Sequence, residues 1–337
     1  MMQVGANTLG NLMNRASWGR FCGLGFWAAS FLSVSGCVSY PVGQDQSLIE
    51  AADAATRRGD WLAAEDYWMR AVEELGSVNS RTHLETARAL IELGHKERAQ
   101  NRLDVGNTLF PDDADLRFMN GQLLRSRGYA RAAEKNFQIA VRANPGHAEA
   151  WLGLAEVRLD LDLPEKASEA IEAYCKLVKV DPRASFVAGQ VCARRGDLRR
   201  AMECFEKALA DPLVGIDRLI SAAATVTLER FESVDEDSLR QACSWVDRAL
   251  ARDPQESEAS YVRGMILSRL GDDVGALEAY KRSVELSDHL LAMTRLAQVY
   301  ARMGKLEEAD RMIDRALELN VHASHRRMLE RVRRAWH

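Results

Sequence analysis

Alanine recurs at Ala99, Ala133, Ala167 and Ala201, each thirty-four residues after the last, and glycine keeps the same beat five residues upstream at Gly94, Gly128 and Gly196. A period of this length belongs to helical hairpins stacked in a line. One hairpin cannot bury its own apolar face, and only a neighbour of the same shape completes it. Such a chain presents a long surface rather than a reaction pocket, so the period points to binding before any motif is considered.

The phase runs further in both directions. Gly59, Ala64, Trp68 and Ala71 form a unit upstream; Gly271, Ala276 and Tyr280 form one downstream, and Gly304, Ala309, Ile313 and Ala316 a last. Between Pro212 and Pro254 only Ala242 and Ala249 keep step, which gives about eight units in all. Three are the most regular. Asp115 to Pro145 carries Gly121, Leu124, Gly128, Ala133, Phe137 and Ala140; Arg183 to Pro212 carries Gly189, Gly196, Ala201, Phe205 and Ala208; Met293 to Asn320 carries Leu296, Ala297, Tyr300, Gly304, Ala309 and Ala316. This pattern resembles the tetratricopeptide repeat: small and bulky residues in the first helix, glycine at the turn, Ala-x3-Phe-x2-Ala in the second helix and proline at the end. The resemblance covers about Gln46 to Asn320. It implies an all-α fold, a right-handed superhelical solenoid of about eight hairpins over residues 47–320, closed by a capping helix over 321–337.

Each position has a physical cause. The turn glycine supplies a positive φ that ends the first helix without a Cβ clash. Small residues let two helices approach closely, and Ala133, Phe137, Ala140 and Val141 recur at the spacing of one helix face. Pro111, Pro145, Pro182, Pro212 and Pro254 fall at unit ends, where they stop the second helix. Two units depart from the pattern. In the fourth, Asp162 replaces the turn glycine, and Pro182 follows Pro145 by thirty-seven residues, which predicts a second helix about one turn longer, with Tyr174 in a small-residue position. In the sixth, the pattern predicts a long first helix through Ala222 to Leu228 and an acidic loop from Glu232 to Asp237. Both departures read either as tolerated extensions or as elements that shape a partner site.

The N-terminus carries a second signal. Residues 1–36 contain Arg15, Arg20 and no acid, with an apolar stretch from Phe21 to Val34 that suits a signal-peptide core and is short for a membrane span. It ends Leu32-Ser33-Val34-Ser35-Gly36-Cys37, which resembles the bacterial lipoprotein signal; the alternatives are ordinary signal cleavage or an uncleaved anchor. The resemblance implies cleavage before Cys37, lipidation of Cys37, and a short tether over 37–46 that holds the solenoid at a membrane. Met13 offers a start giving a leader of more usual length. By the same resemblance an acid after the cysteine would favour the inner membrane, so Val38 implies the outer membrane and a periplasm-facing chain in the cell envelope.

Charge narrows the partner. The net formal charge is −4, while the leader contributes +2 and residues 321–337 contribute +4 through Arg326, Arg327, Arg331, Arg333 and Arg334 against Glu330. The body between is therefore about −10, which disfavours nucleic acid. The basic end reads as a polar cap, or as a contact for anionic lipid or an acidic partner. Cys175, Cys192, Cys204 and Cys243 remain after the leader, in helices and without a Cys-x-x-Cys pair. Buried free thiols are the expected state, with a Cys192 to Cys204 bridge as the alternative.

Catalytic signals are lacking. The seven histidines show no zinc-protease spacing, and no nucleophile elbow, phosphate-binding loop, metal set or cofactor motif is present. The expected activity is binding. In tetratricopeptide domains the first helices line the concave face, so the resemblance nominates Phe118, Gln122, Arg125, Phe186, Gln190, Arg194, Tyr261 and Arg269 as the groove. Phe118, Phe186 and Tyr261 stand three residues before a first-helix glycine. Each ring either packs into the core or projects as an anchor for a peptide. The asparagine-and-lysine clamp that some members use for carboxyl-terminal peptides is missing, since Arg88, Gln122, Glu156, Gln190 and Gln298 occupy that row. Two functions fit: a lipid-anchored scaffold for a protein or peptide partner in the envelope, as in pilus or secretion assembly, or an adaptor for an envelope enzyme acting on peptidoglycan or polysaccharide.

Overall fold

The computed structural model describes residues 42–75, 79–228, 231, 233–319 and 322–337. The leader, its cleavage site and Cys37 lie outside these residues, as does Glu232 of the acidic loop. Among the described residues there are helices and no strands. The first four hairpins are α1 (Val42–Arg58) with α2 (Trp61–Leu75), α3 (Ser80–Glu92) with α4 (Lys96–Leu109), α5 (Ala114–Ser126) with α6 (Ala130–Ala143), and α7 (Ala148–Asp160) with α8 (Pro164–Leu177). The next four are α9 (Pro182–Arg194) with α10 (Leu198–Ala208), α11 (Ile216–Leu228) with α12 (Glu236–Arg252), α13 (Ser257–Arg269) with α14 (Asp273–Leu286), and α15 (Leu290–Arg302) with α16 (Leu306–Glu318). A single helix, α17 (Ala323–Arg333), closes the series against α15 and α16. Helix α1 begins at Val42, inside the segment read as a tether to residue 46.

Turn chemistry explains the regularity. Gly128 takes φ 83°, and the equivalent glycines of five other hairpins lie in the same left-handed region. In the fourth hairpin Asp162 adopts φ 57°, so the substituted residue accepts the backbone shape that glycine adopts at no cost. Asp113 and Asp181 each cap the first helix that follows by accepting from a backbone N–H.

The fourth unit corrects one expectation. Helix α8 has 14 residues, as do α6 and α14, so it carries no extra turn. Helices α5, α7, α9 and α11 begin at Ala114, Ala148, Pro182 and Ile216, each thirty-four residues after the last. The period never lengthened; the proline moved. Pro145 lies in the link after α6, whereas Pro182 is the first residue of α9, where its missing N–H leaves no helical bond unmade. Pro182 thus starts a helix rather than stopping one. The sixth unit is longer: α11 has an ordinary 13 residues, so the expected long first helix is corrected, while the extra length falls after Leu228, where the acidic loop was expected, and in α12, which has 17. Glu236 and Asp237 belong to the first turn of α12, where acids suit the helix N-terminus.

Each first helix packs on its own partner and on the second helix before it, and α3, α5, α7, α9, α11 and α13 also touch one another in sequence. First helices therefore form the inner row. The core between the rows repeats one device. Phe137 of α6 is 1% exposed, and a Cβ added at Gly121 of α5 or at Gly153 of α7 would stand 2.8 Å from its ring. One ring thus occupies the space left by two missing side chains on two successive first helices. Phe205 lies against Gly189 and Tyr280 against Gly264 in the same manner. Burying a ring of this size is worth about 1.5–3 kcal/mol relative to exposure, and here each ring joins layers as well as filling them.

The cysteines also depart from expectation. All four are free, but Cys175 is exposed and Cys192, Cys204 and Cys243 are only partly buried. Cys192 and Cys204 stand near each other across the hairpin of α9 and α10, and burial pushes both thiols up.

Candidate functional site

Along the inner row, α5, α7 and α9 enclose a cavity of about 530 Å³. Its floor is Phe118, Phe137, Leu152 and Gly153; its walls are Gln122, Arg125, Glu149, Glu156, Asp160 and Arg183. A second cavity of about 400 Å³ adjoins it, sharing Arg125, Glu156, Asp160 and Arg183 and adding Phe186, Gln190, Arg194 and Arg218. The shared residues make the two one groove. Phe118, Gln122, Arg125, Phe186, Gln190 and Arg194, nominated from the sequence, all line it.

The alternatives left open for the aromatic row resolve ring by ring. Phe118 is partly exposed and packs on Phe137 at 5.9 Å and on His147 at 4.8 Å, so it belongs to core and groove together. Phe186 does the same against Phe205 at 5.6 Å. Tyr261 is different: it is 8% exposed, packed on Tyr280 and His289, and lines none of the cavities described here. Its expected groove role is corrected to a core role, because its ring is buried against Tyr280 and His289, whereas Phe118, against the equivalent His147, stays partly exposed. Arg269 lines a separate, smaller cavity with Arg295 and Arg302.

Electrostatics organise the groove. Arg125 donates from Nε to Asp160 Oδ2 at 2.6 Å and from its terminal nitrogen to Glu156. Burial works against the charge on Arg125, but its bonds to Asp160 and Glu156 outweigh it and hold the guanidinium above its ordinary range. Burial pushes the Glu156 carboxyl up, opposed by Arg125 and reinforced by Asp160. Arg183 grips Glu149 with two nitrogens, at 2.7 and 3.0 Å, and also donates to Asp181 at 2.9 Å. Asp181 in turn accepts from the buried Tyr174 at 2.5 Å. Burial, then the bond to Asp181, pushes the Tyr174 hydroxyl up to about 12. The small-residue position that Tyr174 fills is thereby tied to the start of α9.

Glu149, Glu156, Asp160, Arg183 and Arg218 were not nominated for the groove from the sequence, although Glu156 was placed in the row of Gln122 and Gln190. A signal for them exists: Glu149 and Arg183, and Asp160 and Arg194, are opposite charges one full period apart on first helices. In a stacked array one period is one layer, so such a pair faces across the interface. Glu149 and Arg183 do meet; Arg194 instead pairs with Asp162 at 3.3 Å. Among the described residues no set of three or more His, Cys, Asp and Glu is placed to hold a metal ion, and no helix is long and apolar enough to cross a membrane.

A model of the tetratricopeptide repeat matches residues 118–176, 164–213 and 240–289, and a second tetratricopeptide repeat model matches 292–327, together more than half of the chain. The chain belongs to the tetratricopeptide repeat family. A TPR repeat-containing protein of Methanocaldococcus jannaschii is 42% identical over 57 residues, which are 17% of this chain and 10% of that protein. The TPR chain thus matches only a small part of that relative's length. Among solved structures, a tetratricopeptide repeat protein from Parabacteroides merdae superposes with a TM-score of 0.58 at 13% identity, over 76% of this chain and 99% of that one. PilW, described as a widely conserved type IV pilus biogenesis factor, gives 0.56 at 16% identity over 64% and 97%. The APC/C hetero-tetramer Cut9-Hcn1 gives 0.55 at 17% identity over 87% and 57%. At these identities the likeness is one of fold, and a TPR fold supplies a surface whose use its own residues decide.

Proposed function

We propose that this TPR protein is an interaction scaffold of the bacterial cell envelope, anchored by lipid on Cys37, that holds a protein or peptide partner in the groove of α5, α7 and α9. The observation that carries the reading is the groove itself: a continuous depression with Phe118, Phe137 and Phe186 in its floor and ordered, paired charges on its walls. Aromatic floor with polar wall is the composition of a recognition surface, in which rings anchor and charges set register. The lipobox-like run before Cys37 supports the anchor, and the resemblance in fold to PilW supports a protein-interaction scaffold, with pilus or secretion assembly as the first reading and an enzyme adaptor as the second.

Photo-crosslinking tests the groove. A crosslinking residue at Gln122 or Gln190 should capture a discrete partner in membrane extracts, while one at the outward-facing Lys135 of α6 should not. Identical adducts from all three positions would overturn the groove. A pilus or secretin component among the adducts supports assembly; a peptidoglycan or polysaccharide enzyme supports the adaptor. Cys37→Ala should release the chain from membranes, and unchanged fractionation would refute the anchor.

A further inference from the structure

The inner row changes electrostatic character along its length. In the groove of α5, α7 and α9 the cations Arg125, Arg183 and Arg194 are matched by carboxylates on the same walls. Further along, a cavity of about 130 Å³ at α11, α13 and α15 is lined by Arg269, Arg295 and Arg302, and one of about 660 Å³ at α15 and α17 by Arg302 and Arg331. The two share Gln298 and Arg302, so they adjoin. Among the described residues no carboxylate lines either. Arg302 alone is neutralised, by Asp273 at 2.5 Å. Arg269 donates to the Thr227 carbonyl and Arg295 to the Gln298 amide oxygen at 3.1 Å, and among the described residues neither has a carboxylate partner. Arg331 is exposed and has no ion-pair partner among the described residues. Beside these cations the larger cavity has an apolar wall of Ala301, Val332, Ala335 and Trp336.

We propose that this end of the inner row binds an acidic peptide segment of a partner protein, whose carboxylates meet Arg269, Arg295 and Arg331 and whose one large apolar side chain rests on Trp336. The proposal rests on the scaffold reading above but names a different stretch of the same face. Three guanidinium groups with no carboxylate partner among the described residues, on a chain of net charge −4, form a localised field that selects anionic ligands. Guanidinium donors pair with carboxylates in two-bond geometry, which gives orientation as well as attraction. The cavity favours a chain segment over a bilayer: Arg331 lines a depression between α15 and α17, whereas Arg326 and Arg327 are exposed outside its lining, open to a flat lipid surface. Helix α17 then serves as a wall of the site as well as a cap, pinned by Arg333 to Asp310 at 3.2 Å.

Fluorescence anisotropy on the full chain tests this, with a labelled peptide of Glu and Asp residues around one central Phe. Arg295→Gln with Arg331→Gln should weaken binding about tenfold, the scale of a lost charge-assisted contact. Arg331→Lys, which keeps the charge and loses the two-bond geometry, should fall between the intact chain and Arg331→Gln, and Arg326→Gln, an equal loss of charge outside the cavity lining, should leave binding unchanged. Trp336→Ala should weaken the Phe peptide and not its Gly counterpart, with the helical circular dichroism signal confirming that each variant folds. Equal weakening by Arg326→Gln and Arg331→Gln, or no binding by the intact chain, would overturn the proposal. So would vesicles of phosphatidylglycerol that bind tightly and displace the peptide through Arg326 and Arg327, which would make the surface a membrane patch. Crosslinks from Gln122 that persist when the peptide fails would confine the failure to this inference. Peptide binding without such crosslinks would confine it to the groove of α5, α7 and α9.

Discussion

Because Phe137 fills space vacated by two glycines on two helices, adding one methyl group at either should reverse the usual sign of a helical Gly→Ala change. In an open helix Gly→Ala stabilises by about 1 kcal/mol, since alanine loses less backbone entropy. At Gly121 or Gly153 the new Cβ would stand 2.8 Å from the Phe137 ring, well inside the separation of about 3.5–4.0 Å at which carbon atoms attract. Phe137 cannot retreat from one helix without approaching the other. Overpacking of this kind costs about 1–3 kcal/mol, so each single change should come out between neutral and about 2 kcal/mol destabilising. The pair should exceed the sum of the singles, because the ring's only escape is blocked; couplings between residues in contact run to about 0.5–3 kcal/mol. Phe137→Leu costs on the order of 1 kcal/mol or more by itself. With the ring shortened, Gly121→Ala should then stabilise by the propensity term alone. Urea unfolding followed by circular dichroism reads the whole chain. Hydrogen exchange over α5 to α7 reads the affected layer, which is needed because a solenoid can unfold in parts. Gly121→Ala that stabilises the native chain, or that stays destabilising beside Phe137→Leu, would refute the wedge argument.

Two further outcomes follow from single residues. Asp162→Gly should stabilise by a few tenths to about 1 kcal/mol in thermal melts, because it relieves left-handed backbone at φ 57°. The lost pair with Arg194 is exposed and worth little; a clear drop in melting temperature would contradict this. Tyr174→Phe should act at both ends of the pH scale. The hydroxyl is raised from 10.0 to about 12, so its contribution is complete below pH 10 and lost as pH rises towards 12. Asp181 is held below 3.8, since the bonds from Tyr174 and Arg183 outweigh its burial, so its contribution is present above that value and lost as pH falls through the lowered one. In Tyr174→Phe both the alkaline loss and part of the acid loss should flatten in denaturation curves taken across pH, and unchanged curves would show that the bond contributes nothing.

The groove shows where legibility ends. Phe118, Arg125, Gln190 and their neighbours could be placed on one face because they repeat with the first helix, and position within a repeat is a local property. Tyr261 occupies the same repeat position as Phe186, yet it is core. A histidine from the next hairpin packs on both Phe118 and Tyr261, at 4.8 and 4.6 Å, so that contact does not separate them; only the burial of each ring in the assembled array does. Proline spacing misled for a related reason: Pro145 and Pro182 each suit a helix boundary, but on opposite sides of it, and only the start of α9 shows that the period is intact.

Sequence alone determined the all-helical hairpin array and its count, because a glycine with positive φ and an alanine in a helix crossing act through their immediate neighbours and recur with every unit; the inner row came from the family resemblance. Tertiary structure decided which rings are buried, that the sixth unit grows in its link and second helix, and how charge is distributed along the inner face. Those properties depend on what the adjacent layer brings within a few ångströms. Arg125 is neutralised and Arg331 is not because of the carboxylates that stand opposite the one and not the other.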